Sequence, residues 1–127
     1  MIIADSDVLI DFLRGRGEGA DKVANELKRS RLSTTAISAF ELWAGVKSKE
    51  EEGAVHSLLE ALTVLPLEDT GAKEAARIKR ELDAKGFGIG MADSLIAGIC
   101  IEKRGILLTR NRKHFERVPG LSINECK

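Results

Sequence analysis

The feature that most constrains this chain is the spacing of its apolar runs. Five are short: Met1 to Ala4, Leu32 to Thr34, Thr63 to Leu67, Ile106 to Thr109 and, more weakly, Leu121 to Asn124. Between them lie longer stretches whose apolar residues recur at helical spacing, predicting helices over about 8–14, 21–30, 38–48, 52–61, 69–85 and 91–104. A strand that leaves a sheet and returns through a helix pairs in parallel. The alternation therefore predicts an α/β domain with a short, mainly parallel sheet flanked by helices.

A chain of 127 residues buries roughly two thirds of the surface it exposes unfolded, so one core suffices and a single domain over 1–127 is expected. No stretch reads as a linker or a repeat. No apolar run approaches the roughly 20 residues that span a bilayer, and no basic region precedes the apolar start, so the expected location is the cytoplasm. Cys100 and Cys126 are far apart, and Cys100 lies in the apolar run Leu95 to Ile101. A free, core-filling thiol is expected there rather than a disulfide scaffold.

In open parallel sheets, ligands bind beyond the carboxyl ends of the strands, near the point where strand order reverses. Residues that follow strands therefore matter most. Asp5 and Asp7 follow the first strand in Ala4-Asp5-Ser6-Asp7. Helix capping by Ser6 or Asp7 is one reading of this segment and suits Asp7 well. It suits Asp5 less, since a charge at the strand exit needs compensation. Glu41 also has two readings. Ser38-Ala39-Phe40-Glu41 has the spacing of a capping box, yet Glu41 shares a helical face with Ile37, Ala44, Gly45 and Ser48, all apolar or small. Asp93 lies on a stripe with Ile96, Ala97 and Cys100, at i+3, i+4 and i+7. No basic residue stands within a turn of it, and a bound cation would satisfy it.

Carboxylates accompanied by Asn and Ser oxygens, without a thiol or imidazole cluster, suit Mg²⁺ or Mn²⁺ better than zinc. His56 and His114 have no ligand spacing between them, and His56 reads as a surface residue. Lys plus Arg and Asp plus Glu both total 20, so net charge does not advertise nucleic-acid binding, and any such binding must come from local patches. Arg104, Arg110, Arg112, Lys113 and Arg117 form one basic string, and a solvated surface is its plain alternative reading.

Four segments in order, Asp5-Ser6-Asp7-Val8-Leu9-Ile10, Glu41-Leu42-Trp43-Ala44-Gly45, Asp93-Ser94-Leu95-Ile96-Ala97 and Leu108 to Phe115, resemble the PIN-domain family, in particular the VapC-like toxins of toxin-antitoxin pairs. The resemblance implies the three-layer PIN fold and an acidic pocket holding Mg²⁺ or Mn²⁺. Asp5, Glu41, Asp93 and Asn111 match the catalytic positions, with Asp5 and Asp93 the metal ligands. Ser6, Asp7 and Thr109 match supporting ones. Asn111 is neutral where relatives carry Asp or Asn, which favours one firmly held metal. The implied activity is endonucleolytic cleavage of RNA by metal-activated water, with Arg110, Arg112 and Lys113 as RNA contacts. The implied partners are a VapB-like antitoxin and a second copy of the chain. Trp43 is a candidate contact for either, or a core residue.

Two other classes compete. Asp5-Ser6-Asp7 resembles the DxD of haloacid-dehalogenase-like phosphohydrolases, although the later acidic pair of that family is absent. A non-catalytic PIN-type interaction domain is the second. Gly86-Phe87-Gly88-Ile89-Gly90 follows a predicted helix rather than a strand, so it reads as a turn and not as a nucleotide fingerprint.

Overall fold

A computed structural model of the protein describes residues 1–126. β1 (Ile2–Ala4) is followed by α1 (Ser6–Arg14) and α2 (Gly17–Lys28); β2 (Leu32–Thr35) by α3 (Ala36–Ala44) and α4 (Lys49–Glu60); β3 (Thr63–Leu65) by α5 (Asp69–Ala84) and α6 (Met91–Glu102). β4 (Ile106–Thr109), the short α7 (Arg112–Phe115) and β5 (Ser122–Glu125) complete it. The sheet runs β3-β2-β1-β4-β5, and every pairing is parallel, where the sequence leads to the expectation of a mainly parallel sheet.

Strand alternation builds the three layers. Ile3 of β1 and Leu107 of β4 are neighbours in register, and both face α5 and α6 in a core with Ile78, Leu82, Ile96 and Ile99. One residue further, Ala4 and Leu108 face the opposite way, into a core with Val8, Leu9, Val23, Val55 and Leu58 from α1, α2 and α4. Central parallel strands covered on both faces need continuous apolar sequence, which is what these short runs supply. Between α5 and α6 the backbones touch. A Cβ at Gly98 would stand 2.6 Å from the Gly71 carbonyl oxygen and 2.8 Å from Ala75 Cβ.

Several boundaries differ from the sequence reading. The helices expected over 38–48 and 52–61 are α3 and α4, each beginning two or three residues earlier, because Thr35 caps α3 by accepting the Ser38 N–H at 3.1 Å and Ser48 caps α4 by accepting the Glu51 N–H at 3.1 Å. Glu51 reaches back to accept the Lys47 N–H at 2.7 Å. The capping box that is one reading of Ser38 and Glu41 is therefore not formed. α2 starts at Gly17 rather than near 21, and α7 was not anticipated. No helix among the described residues is long and apolar enough to cross a membrane. Cys100 and Cys126 are both free and buried, as expected of the former.

Candidate active site

From β1 the chain winds toward β2 and β3, whereas β4 and β5 lie on the other side of β1. The gap beyond the carboxyl ends of β1 and β4 is thus the topological switch point of the sheet, where a crevice is expected. Asp5 leaves β1 there and Thr109 ends β4. The Asp5 N–H donates to the Leu108 carbonyl at 2.9 Å, which extends the β1–β4 pairing to the site itself.

Asp5 is the N-cap of α1, accepting the Ser6 N–H at 2.8 Å through Oδ1. The cap is thus Asp5 itself, not Ser6 or Asp7 as the capping reading of the segment has it. Strand and helix join so tightly that Asp5 serves both the cap and the site. Its second oxygen accepts the Thr109 hydroxyl at 2.9 Å. Asp7 accepts the Arg110 N–H at 3.0 Å and lies 3.3 Å from the same Thr109 hydroxyl. Thr109 Oγ1 in turn accepts the Asn111 N–H at 3.0 Å. One fully buried hydroxyl therefore ties the β4 exit to both acids of the β1 exit.

Glu41 projects from α3 and accepts the Ser6 hydroxyl at 3.1 Å. Ser6 thus links α1 to α3 through the site, and the capping reading of Glu41 is displaced by a tertiary contact. Asp93, in the first turn of α6, sits half-buried at the top of the stripe whose lower members Ile96, Ala97 and Cys100 are buried. It has the partner that local sequence did not offer: His114 Nδ1 of α7 lies 3.0 Å from its Oδ2. His114 has no ligand spacing in the sequence, and only the fold brings α7 against α6. Asn111 is exposed at the N-cap of α7, and among the described residues its side chain bonds none of the acids.

The electrostatics are those of crowded, dehydrated like charges. Burial pushes the Asp5 carboxyl from its ordinary 3.8 up to about 7; the charges of Asp7 and Asp93 add to the rise, against the Thr109 and Ser6 hydrogen bonds. Burial also raises Asp7, opposed by the N–H groups of Arg110 and Val8 and the Arg110 charge. Glu41 is raised by burial first, with the charges of Asp93 and Asp7 adding and the Ser6 bond opposing. Four acids from α1, α3, α6 and the end of β1 thus act on one another. Asp7 Oδ1 is buried without a hydrogen-bond partner among the described residues.

The basic string divides. Arg110 Nε lies 2.8 Å from Asp11 and Arg112 pairs with Glu116 at 3.9 Å, so the expected RNA contacts at 110 and 112 are engaged with carboxylates of the chain itself. Trp43 is 41% exposed, which removes the core reading for it.

The PIN domain family model matches residues 2–121. The chain belongs to the PIN-domain family. Its curated relatives place it in the VapC branch: it is 32% identical to the tRNA(fMet)-specific endonuclease VapC of Salmonella typhimurium over 125 residues, 95% of this chain and 94% of that one. It is 33% identical to ribonuclease VapC10 of Mycobacterium tuberculosis (strain H37Rv), over 91% of this chain and 86% of that one. Among solved structures, DNA-bound VapBC from Salmonella typhimurium superposes with a TM-score of 0.86 at 27% identity, covering 98% and 96% of the two chains. VapBC2 from Rickettsia felis gives 0.87 at 24% identity, covering 98% of each, a likeness of fold. The PIN fold expected from the ordered segments is the observed one, and the DxD likeness to phosphohydrolases is outweighed by a match across nearly the whole chain.

Proposed function

We propose that this PIN domain is a Mg²⁺- or Mn²⁺-dependent endoribonuclease acting as the toxin of a toxin-antitoxin pair. The observation that carries the reading is the convergence of Asp5, Asp7, Glu41 and Asp93 at the switch point, with Asp5 held near neutrality by burial and by its acidic neighbours. Curated VapC relatives that carry ribonuclease names support the reaction class.

The donor set fits a hard divalent cation. It offers carboxylate and hydroxyl oxygens only, and the unpartnered Asp7 Oδ1 is a buried negative atom that a cation would compensate. No three His, Cys, Asp or Glu side chains among the described residues are gathered closely enough to enclose an ion unaided. Mg²⁺ does not require such a cage: it is commonly held by one or two carboxylates and completes its shell with water and substrate phosphate. Asp5 and Asp93 would hold it, with Glu41 facing them. When bound, the cation supplies an activated water and offsets charge on the phosphoryl oxygens. Thr109 fixes the orientation of Asp5, Ser6 that of Glu41, and His114 that of Asp93.

RNA is then the substrate, a VapB-like antitoxin the partner that silences the site, and a second copy of the chain the expected dimer mate. The exposed Trp43, beside Glu41, is available to either protein contact. The test is cleavage of RNA by the purified chain in Mg²⁺ or Mn²⁺. Cutting is expected to stop in EDTA and to fall by at least about a hundredfold in Asp5→Ala and Asp93→Ala. Undiminished cutting by both variants would reject the assignment.

A further inference from the structure

Beside Asp93 a cavity of about 320 Å³ opens between the 87–90 segment and α7, lined by Phe87, Asp93, Lys113, His114 and Arg117. It is near the lower end of the ~300–1,000 Å³ of ligand pockets, a size for one small unit of a larger substrate. Its cations are distinctive. Arg110 and Arg112 are paired with Asp11 and Glu116, but Lys113 and Arg117 form no ion pair among the described residues, and both line this cavity. Lys113 and Arg117 are four apart across α7 and the turn that follows it, which carries both charges to the same side. Phe87 is 45% exposed, and the Arg117 guanidinium lies 3.7 Å from the centre of its ring. With one face of the ring covered by Arg117, a nucleobase has the outer face of that guanidinium to stack on, while the Lys113 ammonium and the Arg117 N–H groups, which form no ion pair among the described residues, recognise phosphate.

We propose that this cavity is a nucleotide subsite of the nuclease, taking the base of one residue adjoining the scissile phosphate on Phe87 and Arg117 and its phosphate on Lys113 and Arg117. The proposal rests on the nuclease reading. It also gives a chain of zero net charge a local basic contribution: Lys113 and Arg117, without ion pairs among the described residues, stand at one end of the acidic site. The segment Gly86 to Gly90, which offers no phosphate-binding fingerprint by sequence, contributes its single aromatic side chain instead.

The experiment is fluorescence anisotropy of a labelled single-stranded oligoribonucleotide with the full chain, first in EDTA so that nothing is cut, then with Ca²⁺. Phe87→Ala and the double variant Lys113→Ala/Arg117→Ala are each expected to weaken binding roughly tenfold, the size of a lost stacked base. Phe87→Trp should restore the affinity, which a merely structural role for Phe87 would not predict. The double variant should also show a shallower dependence on salt. Thermal melting checks that all variants are folded; their substitutions are on exposed positions. Equal affinity of wild type and variants, or no binding by the wild type in either condition, overturns the subsite. Loss of binding in the variants together with a wild type that fails to cut RNA in Mg²⁺ or Mn²⁺ would instead leave the subsite standing and remove the nuclease reading.

Discussion

Asp5 carries two obligations that conflict. As N-cap it offers its carboxylate to α1, and as a buried acid among acids it resists ionisation, with a carboxyl held at about 7 against an unfolded value near 3.8. A raised carboxyl favours the fold while it is protonated, so its contribution is fully present below about pH 3.8 and is lost as pH rises through about 7. The difference corresponds to an order of about 4 kcal/mol. Asp5→Asn keeps the cap and removes the charge. The melting temperature of metal-free Asp5→Asn should therefore exceed that of the wild type by a margin that widens by several degrees between about pH 5 and pH 8; a constant margin would mean that Asp5 is not held protonated. Thr109 offers a complementary test. Thr109→Val removes a buried hydroxyl that donates to Asp5 and accepts from Asn111, leaving polar groups unpaired at a cost of ~1–3 kcal/mol in urea unfolding. Thr109→Ser should recover most of it. Asp5 and Asp93 were legible in the sequence because each is an acid at a strand exit or on an apolar stripe. His114, Thr109 as a bridge and the Ser6 bond to Glu41 depend on residues far apart in sequence meeting in space, and no local pattern announces that.

At the scale of elements, the position of the site follows from how strands and helices join. β1 passes into α1 and β2 into α3 with no intervening loop residue beyond the cap, so the first turns of two helices are pinned to the carboxyl edge of the sheet. The α5–α6 pair sets where Asp93 stands, and its closeness depends on Gly98 lying against Gly71 and Ala75. Gly98→Val should overpack this contact and destabilise the fold by ~1–3 kcal/mol, read as a lower urea midpoint. It should also depress RNA cleavage by displacing α6, whereas Gly53→Ala, on an open face of α4, should leave cleavage unchanged and raise the urea midpoint slightly, by about 0.5–1 kcal/mol of helix propensity. Strand positions were legible because each buried strand is a short apolar run. The true start of α3 was not, because Ser38 has the chemistry of a cap; Thr35, placed by β2 at the strand end, takes that role first. α7 is a single turn, too short for periodicity to reveal.

For the whole molecule, equal numbers of acids and bases conceal a polarised arrangement: dehydrated carboxylates at the switch point, and at one end of it Lys113 and Arg117, without ion pairs among the described residues. On the proposed reading, a cation in the sheet crevice would offset the repulsion among acids contributed by α1, α3 and α6. Calorimetric titration of Mn²⁺ into the metal-free protein measures this directly, in wild type and in Asp5→Asn, at about pH 6 and about pH 8. The account predicts one saturable site in the wild type, greater proton release at the lower pH because the Asp5 carboxyl must ionise to receive the ion, and loss of that site in the variant. A wild type without saturable binding, or a variant that binds Mn²⁺ equally well, would contradict it.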